Sequence, residues 1–358
     1  MIKINELIVK TSVVLTLIFL IVSCATNKST NNTKRELIFF PAPPDTAKIQ
    51  FLTVINNSND ITGEQSSFDK FTKKKENKSG IIKPFGISVI KNKIFVVDSK
   101  RAGIDIIDLQ KTTFEFKNPT GLGNLKTPLN CFADTSGNLF VTDMTRKEIV
   151  VFDYDMNFKA SFGIKIIEKP GDLCAYKDKI YVTDTKNMKI FVFSKSDYKL
   201  VTSFPDVSEK DSAFLHQPNH ISIRNDIIYV TDFGEFVIKK YDLNGKFLGT
   251  VGSYGDSPGQ FTRPKGLTVD RNDFLYVLDS RYNNVQIFNR LGQLMLFFGG
   301  DKAGHGFLNM PIKITIDYDN LDYFREYVDS KYDLKYLIFI TNQFGDDRVT
   351  VYGFVELK

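Results

Sequence analysis

From residue 84 onward, short apolar runs and polar turns alternate along the chain at a regular interval. Between Pro264 and Phe298 the apolar runs cover 266–269, 274–278, 284–288 and 294–298. Turn formers separate them: Asp270 to Asp273, Ser280 to Asn283 and Arg290 to Gln293. Short runs rich in β-branched and aromatic residues between such turns predict a four-stranded antiparallel meander. The second run ends in YVLD at 276–279. It has counterparts in FVVD 95–98, FVTD 140–143, YVTD 181–184, YVTD 229–232 and FITN 339–342. The fourth residues of these six copies are Asp98, Asp143, Asp184, Asp232, Asp279 and Asn342, spaced by 41 to 48 residues and then by 63. A period of that size with four strands in each repeat predicts an all-β chain folded as a six-bladed β-propeller. Ahead of each copy stands a proline followed by an apolar strand: Pro84, Pro128, Pro170, Pro218, Pro264 and Pro311. Proline fits the first residue of an inner strand, where no ladder donor is required of it.

The stretch GSYGDSPGQFTRPKGLTVD, followed by YVLD, resembles the NHL-repeat family of six-bladed propellers, and GGDKAGHGFLNMPIKITID is a looser match. The resemblance spans about residues 48–358 and bears on fold more than on function, because propellers carry many unrelated activities. The repeats place blades one to five at about 81–117, 127–163, 169–204, 217–252 and 263–298, with the sixth starting near 310. The chain stops at VTVYGFVELK, one strand short of a full sixth blade, whereas Ile49 to Ile55 reads as a strand outside every repeat. The two deficits match. Residues 49–55 are therefore expected to complete the sixth blade and close the ring, which removes the exposed edges of an open array.

The sixth repeat carries an insertion at 317–336. Leu321, Phe324 and Val328 recur there at helical spacing, predicting a short amphipathic helix that serves as a lid, as a partner contact or as a cap on the closing blade.

Residues 1–23 are read as a lipoprotein signal peptide. Lys3 and Lys10 precede an apolar run from Val13 to Val22 that is short for a membrane-spanning helix, and Cys24 follows at once. The stretch IVSC resembles a bacterial lipobox. That resemblance implies lipidation at Cys24, by palmitate or similar acyl chains, and attachment of the mature chain to a membrane. An uncleaved signal anchor is the alternative. Residues 24–47 are then a lipidated tether, since ATNKSTNNTKR holds no large apolar side chain, and 48–358 form the propeller. Ala25 after the lipidated cysteine points toward the outer membrane of a bacterial cell envelope, with the periplasmic or surface face left open.

Composition changes this picture little. A chain with 42% hydrophobic residues can bury a large core, and 32 Phe and 15 Tyr without Trp suit wedge-shaped packing between blades. The run FDKFTKKKENKSG is basic, yet a net charge of +5 over 358 residues gives nucleic acid little hold, and none is expected as a partner. Cys131 and Cys174 sit on neighbouring inner strands with a one-residue offset, which lets them either meet or turn apart. Two buried thiols are the preferred reading over a disulfide.

Candidate chemistry lies on the inner strands. Two residues after each proline the row reads Gly86, Asn130, Asp172, His220, Gly266, Lys313, so closure would gather Asn130, Asp172, His220 and Lys313 around one channel. Such a ring could orient a small polar ligand, or its members could satisfy one another. The peptidyl-amidating lyases, similar by repeat, need several histidines directed into the channel. Here His216, His220 and His305 are the full complement, and only His220 falls on an inner strand. Calcium-dependent lactonase propellers imply converging Glu, Asn and Asp, and no glutamate joins this row. No nucleotide, hydrolase or redox motif occurs, so no cofactor, metal or catalytic residue is assigned. The six Asp or Asn that end the second strands recur in every blade, which predicts a turn-capping role. The expected function is a binding or scaffolding propeller for a protein, peptide or glycan partner in the envelope, with a hydrolase or lyase using the channel as the alternative.

Overall fold

The computed structural model describes residues 37–62, 80–302 and 304–358. Cys24 and the basic run of residues 68–79 lie outside the described residues, as does the signal-peptide stretch. Blades one to five are four-stranded antiparallel sheets spanning 84–117, 128–162, 170–204, 218–251 and 264–299. Each inner strand begins at the proline of its repeat, and that proline pairs with the residue ending the second strand, as in Pro84 with Asp98 and Pro264 with Asp279. Burial follows position in the blade. The second and third strands, such as Lys93–Asp98 and Gly103–Asp108, are buried almost throughout, while the outer strand Thr113–Lys117 alternates with solvent. This is why the second and third strands read as continuous apolar runs and the outer strands as alternating ones.

The sixth sheet closes the ring. Its inner strand Pro311–Asp317, second strand Tyr332–Asn342 and third strand Val349–Leu357 are followed by Ile49–Ile55, which runs antiparallel to the C-terminal strand with Ile49 opposite Phe354 and Ile55 opposite Val349. The closure expected from the two sequence deficits is therefore present. A further two-residue strand, Phe39–Phe40, adds to the outside of Ile49–Ile55, so this sheet has five strands. The folded body begins at Ile38 and takes in part of the expected tether: Ala47 is buried, and Phe40 packs on Phe298, Phe307 and Tyr352.

The insertion forms a single helical turn, Leu321–Phe324, with a 3-10 turn at Arg325–Tyr327. Residues 332–336 instead lengthen the second strand. Phe324 is buried with Leu52, Ile81, Leu337 and Phe339, so the turn caps the junction of blades six and one. The apolar core is divided into six clusters, one in each wedge between neighbouring blades.

Two repeated side chains hold these wedges. In blades one to five the carboxylate ending the second strand accepts backbone amides from both the loop entering its blade and the following turn. Asp98 takes Ile82 and Lys100, Asp143 takes Lys126 and Arg146, and Asp184 takes Glu168 and Asn187. The turn role expected of these residues is met and extended. The threonine before this terminal Asp or Asn reaches the next blade: Thr142 donates to the carbonyl of Gly171, Thr183 to Asn219, Thr231 to Lys265 and Thr341 to Phe85. Blade five has Leu278 at that position and uses Ser280, which donates to Pro311; blade one has Val97.

Leu52→Ala removes a fully buried contact of the closing strand, and we expect it to cost about 2–5 kcal/mol in chemical unfolding. Deleting residues up to 56 should lower the melting temperature further, and an unchanged value would overturn closure by this strand.

Candidate functional site: the channel cluster

The inner strands follow one another around the axis in chain order, and the sixth contacts the first, so blades three and six face each other across the channel. Asp172 and Lys313 occupy the same depth on these opposed strands, and the Lys313 ammonium spans the channel to donate to Asp172 Oδ2. The span is made possible by the residues beside it. Gly86 and Gly266 hold the same position in the two blades flanking Lys313. A Cβ at Gly266 would come within 2.6 Å of the Ile312 carbonyl oxygen and 2.8 Å of Lys313 Cα, and one at Gly86 within 2.6 Å of Asn130 Cα. The strands pack too closely there for any larger residue.

Asp172 is fully buried and well supplied with donors. Its Oδ1 accepts the Leu173 amide at 2.9 Å, and its Oδ2 accepts the Ile221 amide at 3.2 Å as well as Lys313. His220 Nδ1 stands 3.4 Å from the same oxygen, an electrostatic contact longer than a good hydrogen bond. Burial alone would raise the Asp172 pKa, but Lys313 and His220 outweigh it and hold the carboxyl at about 2. Burial pushes His220 the other way, down to about 4, because the attraction of Asp172 only partly offsets the cost of a buried imidazolium. At neutral pH the cluster is thus an ion pair beside a neutral imidazole.

Asn130 takes a different partner. Its Nδ2 donates to the Gly171 carbonyl at 3.0 Å, and its backbone amide donates to Thr142. Of the four candidates, the structure joins Asp172, His220 and Lys313 in one buried cluster and ties Asn130 into the seam between blades two and three. The other histidines have separate partners: His216 meets Glu235 at 2.9 Å and His305 meets Asp347 at 2.6 Å. Among the described residues, no three His, Cys, Asp or Glu side chains converge as metal ligands.

Cys131 and Cys174 are both buried free thiols. Cys131 lies in the wedge between blades one and two and Cys174 in that between blades three and four, so the offset turns them apart. Burial raises the Cys131 pKa to about 12 and that of Cys174 further, keeping both protonated.

On the hairpin side of the Lys313 bridge the channel widens into a cavity of about 610 Å³, with Lys313 in its lining. Sequence reasoning did not find this cavity. It also missed the span of Lys313, although the two glycines flanking that lysine in the aligned row were a usable signal.

No protein-family profile matches the chain. Among curated proteins, Protein brain tumor of Drosophila melanogaster is 28% identical over 147 residues, which is 39% of this chain and 14% of that protein. Among solved structures, a streptogramin B lyase superposes with a TM-score of 0.53 at 14% identity, covering 75% of this chain and 82% of the lyase. A gluconolactonase of Xanthomonas campestris gives 0.54 at 14% identity, covering 86% and 98%. These likenesses agree with the fold described above, a six-bladed β-propeller. At such identities they carry the fold alone. Among the described residues, no helix is long and apolar enough to cross a membrane.

The depressed His220 pKa has a definite sign. The unfolded histidine takes up a proton near its ordinary 6.5, whereas the folded one resists until about 4. Its contribution to stability is present above pH 6.5 and is lost as the pH falls toward 4. Asp172 adds a second loss from its ordinary 3.8 down to about 2. Unfolding free energies measured from pH 7 to pH 4 should therefore fall, and His220→Gln should flatten that slope. An equal slope in the variant would show that His220 is not the group responsible.

Proposed function

We propose that this chain is a lipid-anchored protein of a bacterial envelope whose propeller binds a protein, peptide or glycan partner without transforming it. The observation that carries this reading is the state of the channel cluster. Asp172 is ionised and already engaged by two amides and an ammonium, and His220 is neutral and buried. Neither is poised to move a proton near pH 7, where a general acid or base needs its pKa. The flanking thiols are held protonated.

The loop-rich face that carries the Asp turns supports a binding role. Phe233, Phe236 and Tyr254 form a row there, with ring centroids 6.0 and 4.9 Å apart, and Tyr254 is 66% exposed. The Lys265 ammonium lies 4.4 Å from the centre of the Phe233 ring. Rigid aromatic surface with a cation alongside is well suited to both peptide and glycan contact. Anchoring through Cys24 rests on the lipobox resemblance and would hold this surface at a membrane.

Two measurements test the reading. Cys24→Ser should shift the protein from the membrane to the soluble fraction, and retention of a cleaved variant on the membrane would sink the anchor. In affinity capture from envelope membranes, Phe236→Ala with Tyr254→Ala should lose the wild-type partner while leaving the melting temperature within a few degrees. Capture that persists in this double variant would move the contact elsewhere.

A further inference from the structure

The loop-rich face that carries the Asp turns is divided by charge. Its loops all leave the strands at one end of the propeller, because each inner strand starts opposite the end of the second strand, as Pro84 does opposite Asp98 and Pro170 opposite Asp184. In blades one to three this end presents exposed aliphatic tips. Ile82, Leu122 and Ile164 lie in the loops entering blades one, two and three, and Met188 lies in the turn after Asp184; Leu122 is 75% exposed and Ile164 64%. Around them stand Lys83, Lys100, Lys126, Lys165, Lys169 and Lys186, all exposed, and among the described residues none has a carboxylate at ion-pair distance. Glu148 and Glu168, at the same level, are taken by Arg146 at 2.8 Å and Lys147 at 2.5 Å. These loops are tied down. Arg146 donates to the carbonyls of Leu122 at 2.9 Å and Asn124 at 2.8 Å, and the Ile166 and Ile167 amides return to the Gly163 carbonyl at 2.9 and 2.8 Å. Elsewhere the charge differs. On the loops of blades four to six the exposed carboxylates Glu209, Asp211, Glu235, Asp256, Asp301 and Asp346 outnumber the exposed cations among the described residues. At the hairpin end Lys93, Lys177 and Lys195 are paired with Asp155, Asp226 and Asp134.

This mixture of lysines and aliphatic tips selects the partner. Protein interfaces are poor in lysine, and a nucleic-acid backbone would use the ammonium groups but leave the aliphatic tips in water. An anionic bilayer uses both, since apolar side chains enter the acyl boundary while lysine stems lie along it with their charges among the headgroups. We propose that the loops of blades one to three dock on an anionic lipid surface, inserting Leu122 and Ile164 with Ile82 and Met188 beside them. The carboxylates of blades four to six are repelled by the same surface, so the propeller sits tilted with its basic half down. The aromatic row of Phe233, Phe236 and Tyr254 belongs to the lifted half and stays open to its partner. The contact is made by the folded body and does not use Cys24, so it and the acyl anchor can fail separately.

The test uses the full-length chain with Cys24→Ser, which removes the acyl anchor. An environment-sensitive dye is placed on Leu122→Cys and, in a separate variant, on Leu291→Cys, an exposed site in the turn between the third and fourth strands of blade five at the opposite, hairpin end. Cys131 and Cys174 are buried and stay unlabelled. Vesicles of phosphatidylethanolamine and phosphatidylglycerol should shift the emission of the Leu122→Cys dye to the blue and leave that of Leu291→Cys unchanged. Vesicles of phosphatidylcholine alone should bind at least about tenfold more weakly. The triple variant Lys126→Glu, Lys165→Glu, Lys186→Glu changes only exposed, unpaired side chains, and it should weaken binding to the anionic vesicles by at least about tenfold with the melting temperature retained. Added salt should loosen binding by the parent chain without any substitution. Equal shifts at both dye positions, equal affinity for the two kinds of vesicle, unchanged binding by the folded triple variant, or no shift at Leu122→Cys would each overturn the proposal. Retention on an acidic polypeptide with no response to vesicles would assign the face to a protein and overturn it equally.

Discussion

Everything in this propeller depends on the pairing of Ile49–Ile55 with Val349–Leu357. A blade cannot bury both faces of its sheet by itself; it does so only against a neighbour on either side. Five seams form between consecutive repeats, but the sixth has to be made by joining the two ends of the chain. The strand that does this brings Ile49, Leu52 and Ile55, all buried, into the wedges on both sides of the last blade. Each such side chain contributes on the order of 1.5–3 kcal/mol by leaving water. Closure also satisfies an edge that would otherwise remain open to other chains.

Once the ring is closed, its axis becomes a place where charge is held at short range. The inner strands come so near one another that glycine is required on both sides of Lys313, and the lysine crosses the gap to Asp172. A buried pair of this kind gains less net stability than its geometry suggests, because both ions have given up their hydration. Losing one partner is the costly event, since the other remains buried and unpaired. The pair thus ties blades three and six together across the channel.

The fold was legible in the sequence because its signals repeat. The prolines marked the inner strands, the aspartates marked the ends of the second strands, and the spare strand at 49–55 matched the missing one at the C-terminus. The helix of the insertion was legible only in part: Leu321 and Phe324 do sit on a helical turn, but the strand propensity of residues 332–336 took the rest of that segment. The channel was harder, because aligned positions on different strands say nothing about the direction of a long side chain. Asn130 and Asp172 occupy equivalent positions, yet one bonds a neighbouring backbone and the other an ammonium from the opposite blade. The cavity left no sequence trace.

The threonine links between blades are unevenly distributed. Four seams carry one, a fifth uses Ser280, and the seam between blades one and two has Val97 where the donor would stand. That seam is joined by Ser88, which accepts the Ala133 amide, by the long contact from Cys131 to the Phe95 carbonyl, and by Lys93, which donates to the Tyr154 carbonyl at 3.3 Å and to Asp155 at 3.1 Å. In a ring of otherwise similar joints, this one is built from different parts, and a lysine's charge does there what a hydroxyl does at the other five.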